Sequence, residues 1–134
     1  MPPATLADLA ESFSLFDDWE DKYRYLIDLG DRLDPMDEAL KTGENFVRGC
    51  TSQVWMDARF DNDRFRFVAD SDSRIVKGLI YILAVAYQGR TRQEIAAVDI
   101  ENAFEKLGLH QHLSPNRRNG FFAMVGRIRG MAAG

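Results

Sequence analysis

Apolar residues at Leu6, Leu9, Ala10 and Phe13 recur at helical spacing, and Thr5 with Asp8 supplies a capping-box-like start, so the pattern predicts a first helix over Thr5 to Leu15. Asp18 can cap a second helix, ending around Arg32. In it Trp19, Tyr23, Leu26, Ile27 and Gly30 lie on one side, and Glu20, Asp21, Arg24 and Asp28 lie mostly on the other. From Asp34 to Asn45 the periodicity fails. Pro35, Gly43 and five charged residues mark a surface loop with room for one helical turn.

The period then changes from helical to alternating. Val54, Met56, Ala58 and Phe60 alternate with Gln53, Trp55, Asp57 and Arg59, as on a half-buried strand. Asp61-Asn62-Asp63 is turn chemistry, and Phe65, Phe67 and Ala69 alternate with Arg64, Arg66, Val68 and Asp70, which predicts an antiparallel hairpin. A short extra strand at Asn45 to Arg48 would make three. Asp70-Ser71-Asp72-Ser73 offers several N-caps for a helix over Arg74 to Gln88, apolar on nearly every side from Leu79 onward and therefore the central buried one. Gly89 stops it. Thr91 and Glu94 form a capping box for a short helix through Val98, Asp99 caps another that ends at Gly108, and Ser114-Pro115 opens a last helix with Phe121, Met124, Val125 and Ile128 on one face. Helices before and after a small antiparallel sheet of two to three strands define an α+β fold.

Length and charge narrow the function classes. At 134 residues the chain is expected to be one domain, and a net charge of −4 argues against a nucleic-acid or anionic-membrane duty. The start Met1-Pro2-Pro3-Ala4-Thr5 has neither a basic nor an apolar region of a secretory signal, and the longest apolar stretch, Leu79 to Tyr87, is too short to span a bilayer. A protein in a reducing compartment is expected, and the unpaired cysteine agrees with that.

That single cysteine, Cys50, lies in Val47-Arg48-Gly49-Cys50-Thr51-Ser52-Gln53-Val54-Trp55 and cannot close an internal disulfide. A lone cysteine is most often a small core hydrophobe, but Gly49 and the loop upstream place this thiol at the top of the sheet instead. Arg48 would raise its thiolate fraction only if the backbone there stays extended; otherwise it is a solvated surface charge. His110 and His112 with Cys50 lack the paired spacing of a structural zinc site, and Asp61 and Asp63 lack the third and twelfth-position ligands of a calcium loop, so no metal is expected. Asp70 and Asp72 read as helix caps. Arg117 and Arg118 in the first turn of the last helix oppose its dipole, which points either to a partner or anion or to a simple salt bridge. Trp19 and Trp55 read as core or half-buried residues.

Gly49-Cys50-Thr51-Ser52-Gln53-Val54-Trp55 resembles the signature of the SufE family of cysteine-desulfuration proteins, sulfur acceptors in iron–sulfur cluster assembly. Three further stretches resemble that family in the same order: Trp19-Glu20 with Lys22-Tyr23; Asp70-Ser71-Asp72 leading to Ile75-Val76-Lys77-Gly78-Leu79; and Gln111-His112-Leu113-Ser114-Pro115 with Arg117 and Gly120. The resemblance implies a SufE/NifU-like α+β domain over residues 1–134 and a cytoplasmic protein. Its implied partner is a pyridoxal-phosphate cysteine desulfurase, SufS-like or CsdA-like, and a scaffold such as a SufBCD-like complex receives the sulfur. It also implies Cys50 as a transient persulfide carrier within Gly49 to Gln53, with Asp72, His112 and Arg117 near the thiol or the partner surface. The chain itself would hold no cofactor, and a homodimer is compatible. A persulfide needs shelter, expected from a pocket lined by apolar residues of the sheet and last helix, with a loop that moves on docking. His110, Arg48, Phe121 and the loop from Asp34 to Glu44 depart from the family pattern and bear on partner choice more than on chemistry. An iron–sulfur scaffold would need several thiolates, a thiol–disulfide oxidoreductase a resolving cysteine, and an activator acting by binding alone no cysteine at all.

Overall fold

The computed structural model describes residues 5–48 and 52–133. Helices α1 (Leu6–Ser14) and α2 (Trp19–Gly30) precede a 3-10 turn at Glu38–Leu40; the hairpin of β1 (Val54–Asp61) and β2 (Arg64–Ser71) follows. Helices α3 (Arg74–Tyr87), α4 (Arg92–Ala97), α5 (Ile100–Lys106), α6 (Leu109–His112) and α7 (Pro115–Ala133) complete the chain. The architecture is the expected α+β one. Local chemistry sets the boundaries: Thr5, Asp18, Ser73 and Asp99 each accept a backbone N–H three residues on, and Thr91 with Glu94 closes a full capping box.

Alternation along the hairpin sorts its faces. Val54, Met56, Phe65, Phe67 and Ala69 are buried toward the helices, whereas Arg59 and Arg66, paired across the ladder, face solvent. Asn62 and Asp63 turn the chain at φ of 51° and 65°, a left-handed conformation that Asn and Asp tolerate better than other residues with a Cβ.

The extra strand expected at Asn45 to Arg48 is reduced to an isolated bridge between Phe46 and Trp55. Asn45 accepts from the Met56 N–H and the Val47 N–H donates to Val54, each at 2.8 Å. Upstream, the N–H groups of Asn45 and Phe46 turn back to Thr42 Oγ1 and the Gly43 carbonyl, so the chain becomes extended too late to form a longer ladder. On the opposite edge the Phe65 backbone bonds to Gly89 and Arg90. The Phe67 N–H and C=O bond, both at 2.9 Å, to the side-chain amide of Gln88.

Helix α3 lies at the centre, with Val76, Leu79, Ile80, Ile82, Leu83, Ala86 and Tyr87 buried. It meets α2 backbone to backbone. A Cβ on Gly78 would lie 2.2 Å from the Leu26 carbonyl oxygen, and one on Gly30 would lie 2.7 Å from the Gly78 nitrogen. Helix α7 packs Phe121, Met124, Val125 and Ile128 inward, as its sequence predicts. Phe104 of α5 meets Phe121 at 4.7 Å between ring centroids, and Arg129 holds Glu101 through two bonds of 2.7 and 2.8 Å.

The short helix α6 has no counterpart in the hydrophobic pattern. It follows Gly108, whose φ of 75° redirects the chain out of α5 and whose missing Cβ leaves room for the Trp19 ring.

Gly78→Ala is expected to lower unfolding free energy by roughly 3 kcal/mol, because backbone atoms rather than a movable side chain fill the space. Gly126→Ala and Gly130→Ala, with nothing within 4 Å of the added Cβ, are expected to be neutral or stabilising by up to about 1 kcal/mol through helix propensity. Urea denaturation of the three variants checks both statements.

Candidate functional site

The chain around Cys50 is held at both ends. On the upstream side, residues 44–47 run beside β1, with the two 2.8 Å bonds tying Asn45 to Met56 and Val47 to Val54. Helix α7 grips the same stretch as well: the Arg127 guanidinium donates to the carbonyl oxygens of Asn45 at 3.4 Å, Phe46 at 3.2 Å and Glu44. On the downstream side, Gln53 donates its N–H to Asp72 Oδ1 at 3.0 Å, and its carbonyl accepts from the Asp72 N–H at 3.3 Å. Gly49, Cys50 and Thr51 lie outside the described residues, as therefore does the expected apolar pocket over the thiol. The described cleft of about 450 Å³ between β2 and α3, lined by Leu33, Val68, Tyr81 and Val85 among others, includes none of residues 44–53.

The aspartates expected to cap α3 do something else. Ser73 is the N-cap, accepting the Val76 N–H at 3.3 Å. Asp72 instead extends the hairpin pairing by one side-chain bond to Gln53. Asp70 turns to Lys41, 2.9 Å away, and to Lys77 at 3.5 Å. A helix needs only one residue at its cap, and here Ser73 sits in the extended conformation that the position requires. The other two carboxylates are left to bind neighbours distant in sequence.

Lys41 anchors the loop that precedes residues 44–47. Its ammonium also meets Glu38 at 2.8 Å and sits 5.3 Å over the Trp55 ring, which is half-buried and edge-on to Phe46. Burial pushes the Asp70 carboxyl up, but the Lys41 hydrogen bond, the Ser71 N–H and the Lys77 charge outweigh it and hold Asp70 below its ordinary value. The Lys41 ammonium is held above its own ordinary value by its bonds to Glu38 and Asp70.

His112 and Arg117 belong to the α6–α7 corner. The His112 ring stacks on Trp19 at 4.0 Å, with Lys22 5.1 Å over the same indole, and the Tyr23 hydroxyl donates to the His112 carbonyl. Arg117 is half-buried; its backbone N–H donates to Ser114 Oγ at 3.3 Å, and its guanidinium has no partner among the described residues. Arg118 reaches the His110 carbonyl at 2.9 Å, so neither arginine forms an ion pair among the described residues. Gln53 and Asp72 are thus brought together, and His112 and Arg117 share a corner. No hydrogen bond or ion pair among the described residues joins the two groups. Arg48 is exposed. Among the described residues no cluster of three or more His, Cys, Asp or Glu is placed to hold a metal ion, and no helix is long and apolar enough to cross a membrane.

The solution structure of a hypothetical protein of Thermus thermophilus superposes on this fold with a TM-score of 0.77 over 99% of this chain and 96% of that one, at 18% identity, a likeness of fold alone. Residues 7–132 match the SufE family model, described as an Fe–S metabolism associated domain. An uncharacterized SufE-like protein of Rhizobium etli is 44% identical over 94% of this chain and 88% of its own length. Another, of Rhizobium meliloti, is 40% identical over 97% and 96%. The chain belongs to the SufE family, and its general role is SufE-like sulfur transfer.

Because the Asp70 carboxyl is depressed in the folded state, its stabilising contribution is complete well above its ordinary value of 3.8 and is lost as pH falls through the lower folded value. Asp70→Asn is therefore expected to be less stable than wild type at pH 7, with the gap narrowing as pH drops below about 4. Urea midpoints of the two proteins across that range measure it.

Proposed function

We propose that this protein accepts sulfur from a pyridoxal-phosphate cysteine desulfurase onto Cys50 and passes it to an iron–sulfur assembly scaffold. In the first step the Cys50 thiolate attacks the outer sulfur of the persulfide on the desulfurase cysteine. A new S–S bond forms at Cys50, the old one breaks, and the desulfurase cysteine leaves as its thiolate. Delivery repeats the exchange with an acceptor thiol on the scaffold. The observation that carries this reading is the sequence Gly49 to Trp55 with its single cysteine, placed in the chain between two secured ends: Val47 bonded to Val54, and Gln53 bonded to Asp72. A segment whose two flanks are fixed to the sheet can be engaged by a partner without rearranging the sheet itself. The absence of a second cysteine from the sequence also leaves no internal thiol to attack the persulfide and discharge it.

On the downstream flank, Gln53 and Asp72 are bonded to each other through side chain and backbone. The Arg117 guanidinium, without a partner among the described residues, and the stacked His112 ring are offered to the desulfurase. The site of action is the cytoplasm. The desulfurase is SufS-like or CsdA-like, and the scaffold is of the SufBCD kind.

With a cysteine desulfurase and L-cysteine, the intact mass of the protein is expected to rise by one sulfur atom, reversibly with a reductant and only where Cys50 is present. Cys50→Ser is expected to lose both the adduct and nearly all stimulation of the desulfurase. If the serine variant stimulated as well as wild type, the protein would be an activator by binding alone and the relay would be wrong.

A further inference from the structure

Arg127 was not marked by any motif, yet it is the side chain that ties the last helix to the strand entering the cysteine connection. We propose that Arg127 is a positioning residue for sulfur acceptance, acting by fixing residues 44–47, the upstream flank of the Cys50 motif, as a docking surface; the inference rests on the sulfur-acceptor reading above.

The geometry suits a guanidinium. Two of its nitrogens reach three consecutive carbonyl oxygens, those of Glu44, Asn45 and Phe46, and the planar fork fixes the directions of these donors, whereas the N–H groups of an ammonium turn freely at the end of a flexible stem. Bonds from a cation to backbone carbonyls are among the stronger ones, and this site is half-buried, which limits competition from water. The segment it grips is joined to β1 over a short length: Phe46 forms a single bridge to Trp55 and sets its ring against the indole, Val47 is buried in the core, and two bonds, at Asn45 and Val47, complete the attachment. A short edge segment with two such bonds opens more readily than a full ladder. Arg127 adds bonds from a second element, projecting from the turn of α7 that also carries the buried Ile128 and Met124, so its backbone is fixed by the core. The arrangement makes the strand's position a property of α7. Freed from Arg127, residues 44–47 would fray. A partner docking across this flank would then have to order residues 44–47 again.

The consequence is a split between binding and chemistry. In Arg127→Ala the thiol and the sulfur-transfer step are untouched, so maximal stimulation of a cysteine desulfurase should stay within about twofold of wild type. The protein concentration for half-maximal stimulation should rise by about fivefold or more, because ordering residues 44–47 now opposes docking. In the isolated protein, hydrogen exchange at the Val47 and Met56 amides should accelerate about tenfold relative to that at Leu83 in the core. Arg129→Ala is the control for general loosening of α7, since it removes the Glu101 pair and leaves residues 44–46 alone. It should lower thermal stability without changing half-saturation or the relative exchange at Val47. The inference is overturned if Val47 exchange in Arg127→Ala merely follows that of Leu83, or if half-saturation matches wild type. Failure of the sulfur-acceptor reading looks different: wild type itself would gain no sulfur and give no stimulation, while the exchange measurement, which needs no partner, would still decide what Arg127 does to the strand.

Discussion

Everything in this molecule is arranged around a contact with almost no side chain in it. At Gly30 and Gly78 the backbones of α2 and α3 touch, and the hypothetical Cβ of Gly78 would sit inside the Leu26 carbonyl. This approach lets a helix that is apolar on nearly every side be covered at once by α2, by the hairpin and by α7, so Leu79, Ile82, Leu83 and Tyr87 lose contact with solvent. Area removed from water contributes about 25 cal/mol per Å², and that contribution fades wherever a gap separates the surfaces. Two glycines closing the helix pair therefore do more for the core than two larger residues could. The same contact sets where β2 hands over to α3, and hence where Asp70, Asp72 and Ser73 stand.

From that fixed corner the candidate site is built by polar bonds between segments far apart in sequence. Ser73 begins the helix, Asp72 reaches across to Gln53, and Asp70 draws Lys41 and its loop against Trp55. Arg127 comes from the opposite end of the chain to meet the strand that Lys41's loop leads into. Each bond alone contributes about 1 kcal/mol at a partly exposed position. Their distribution matters more than their sum: they fall on both flanks of residues 49–51 and join those flanks to α3 and α7. The described residues on either side of the Cys50 motif are thereby fixed to the core of a SufE-family domain.

How much of this could be read in advance depended on the range of the interaction. Helices with a cap and a clear apolar stripe were legible, because both signals are local; α2 from Asp18 and α7 from Ser114-Pro115 are examples. The hairpin was legible for the same reason, from alternation on either side of Asn62-Asp63. Helix α6 was not, since its single turn is too short for a period and its cause is the left-handed Gly108 packed on Trp19. The carboxylates before α3 were misjudged because capping is the nearest use for an Asp beside a helix, while Lys41 and Gln53 become neighbours only after folding. Arg127 gave one faint signal, a charge beside Ile128 at the border of the apolar face. Nothing local says that three carbonyls await it. The motif around Cys50 named the family, but the residues that brace it had to be found in three dimensions.

A sheet of two strands has two raw edges, and one of them is finished by an unusual substitute. Beyond Phe65, where backbone meets backbone, the Gln88 amide offers Phe67 one acceptor and one donor in the spacing of a peptide group. The side chain thus plays the part of a neighbouring strand one residue long. An exposed β-edge is an invitation to any other extended chain, including that of another copy during synthesis or at high concentration. Gln88 occupies part of that edge with a group that satisfies it and offers no continuation. A primary carboxamide presents both a donor and an acceptor, which a carboxylate or an ammonium cannot. Its chemical role is therefore that of a chain terminator, halting sheet growth along that edge.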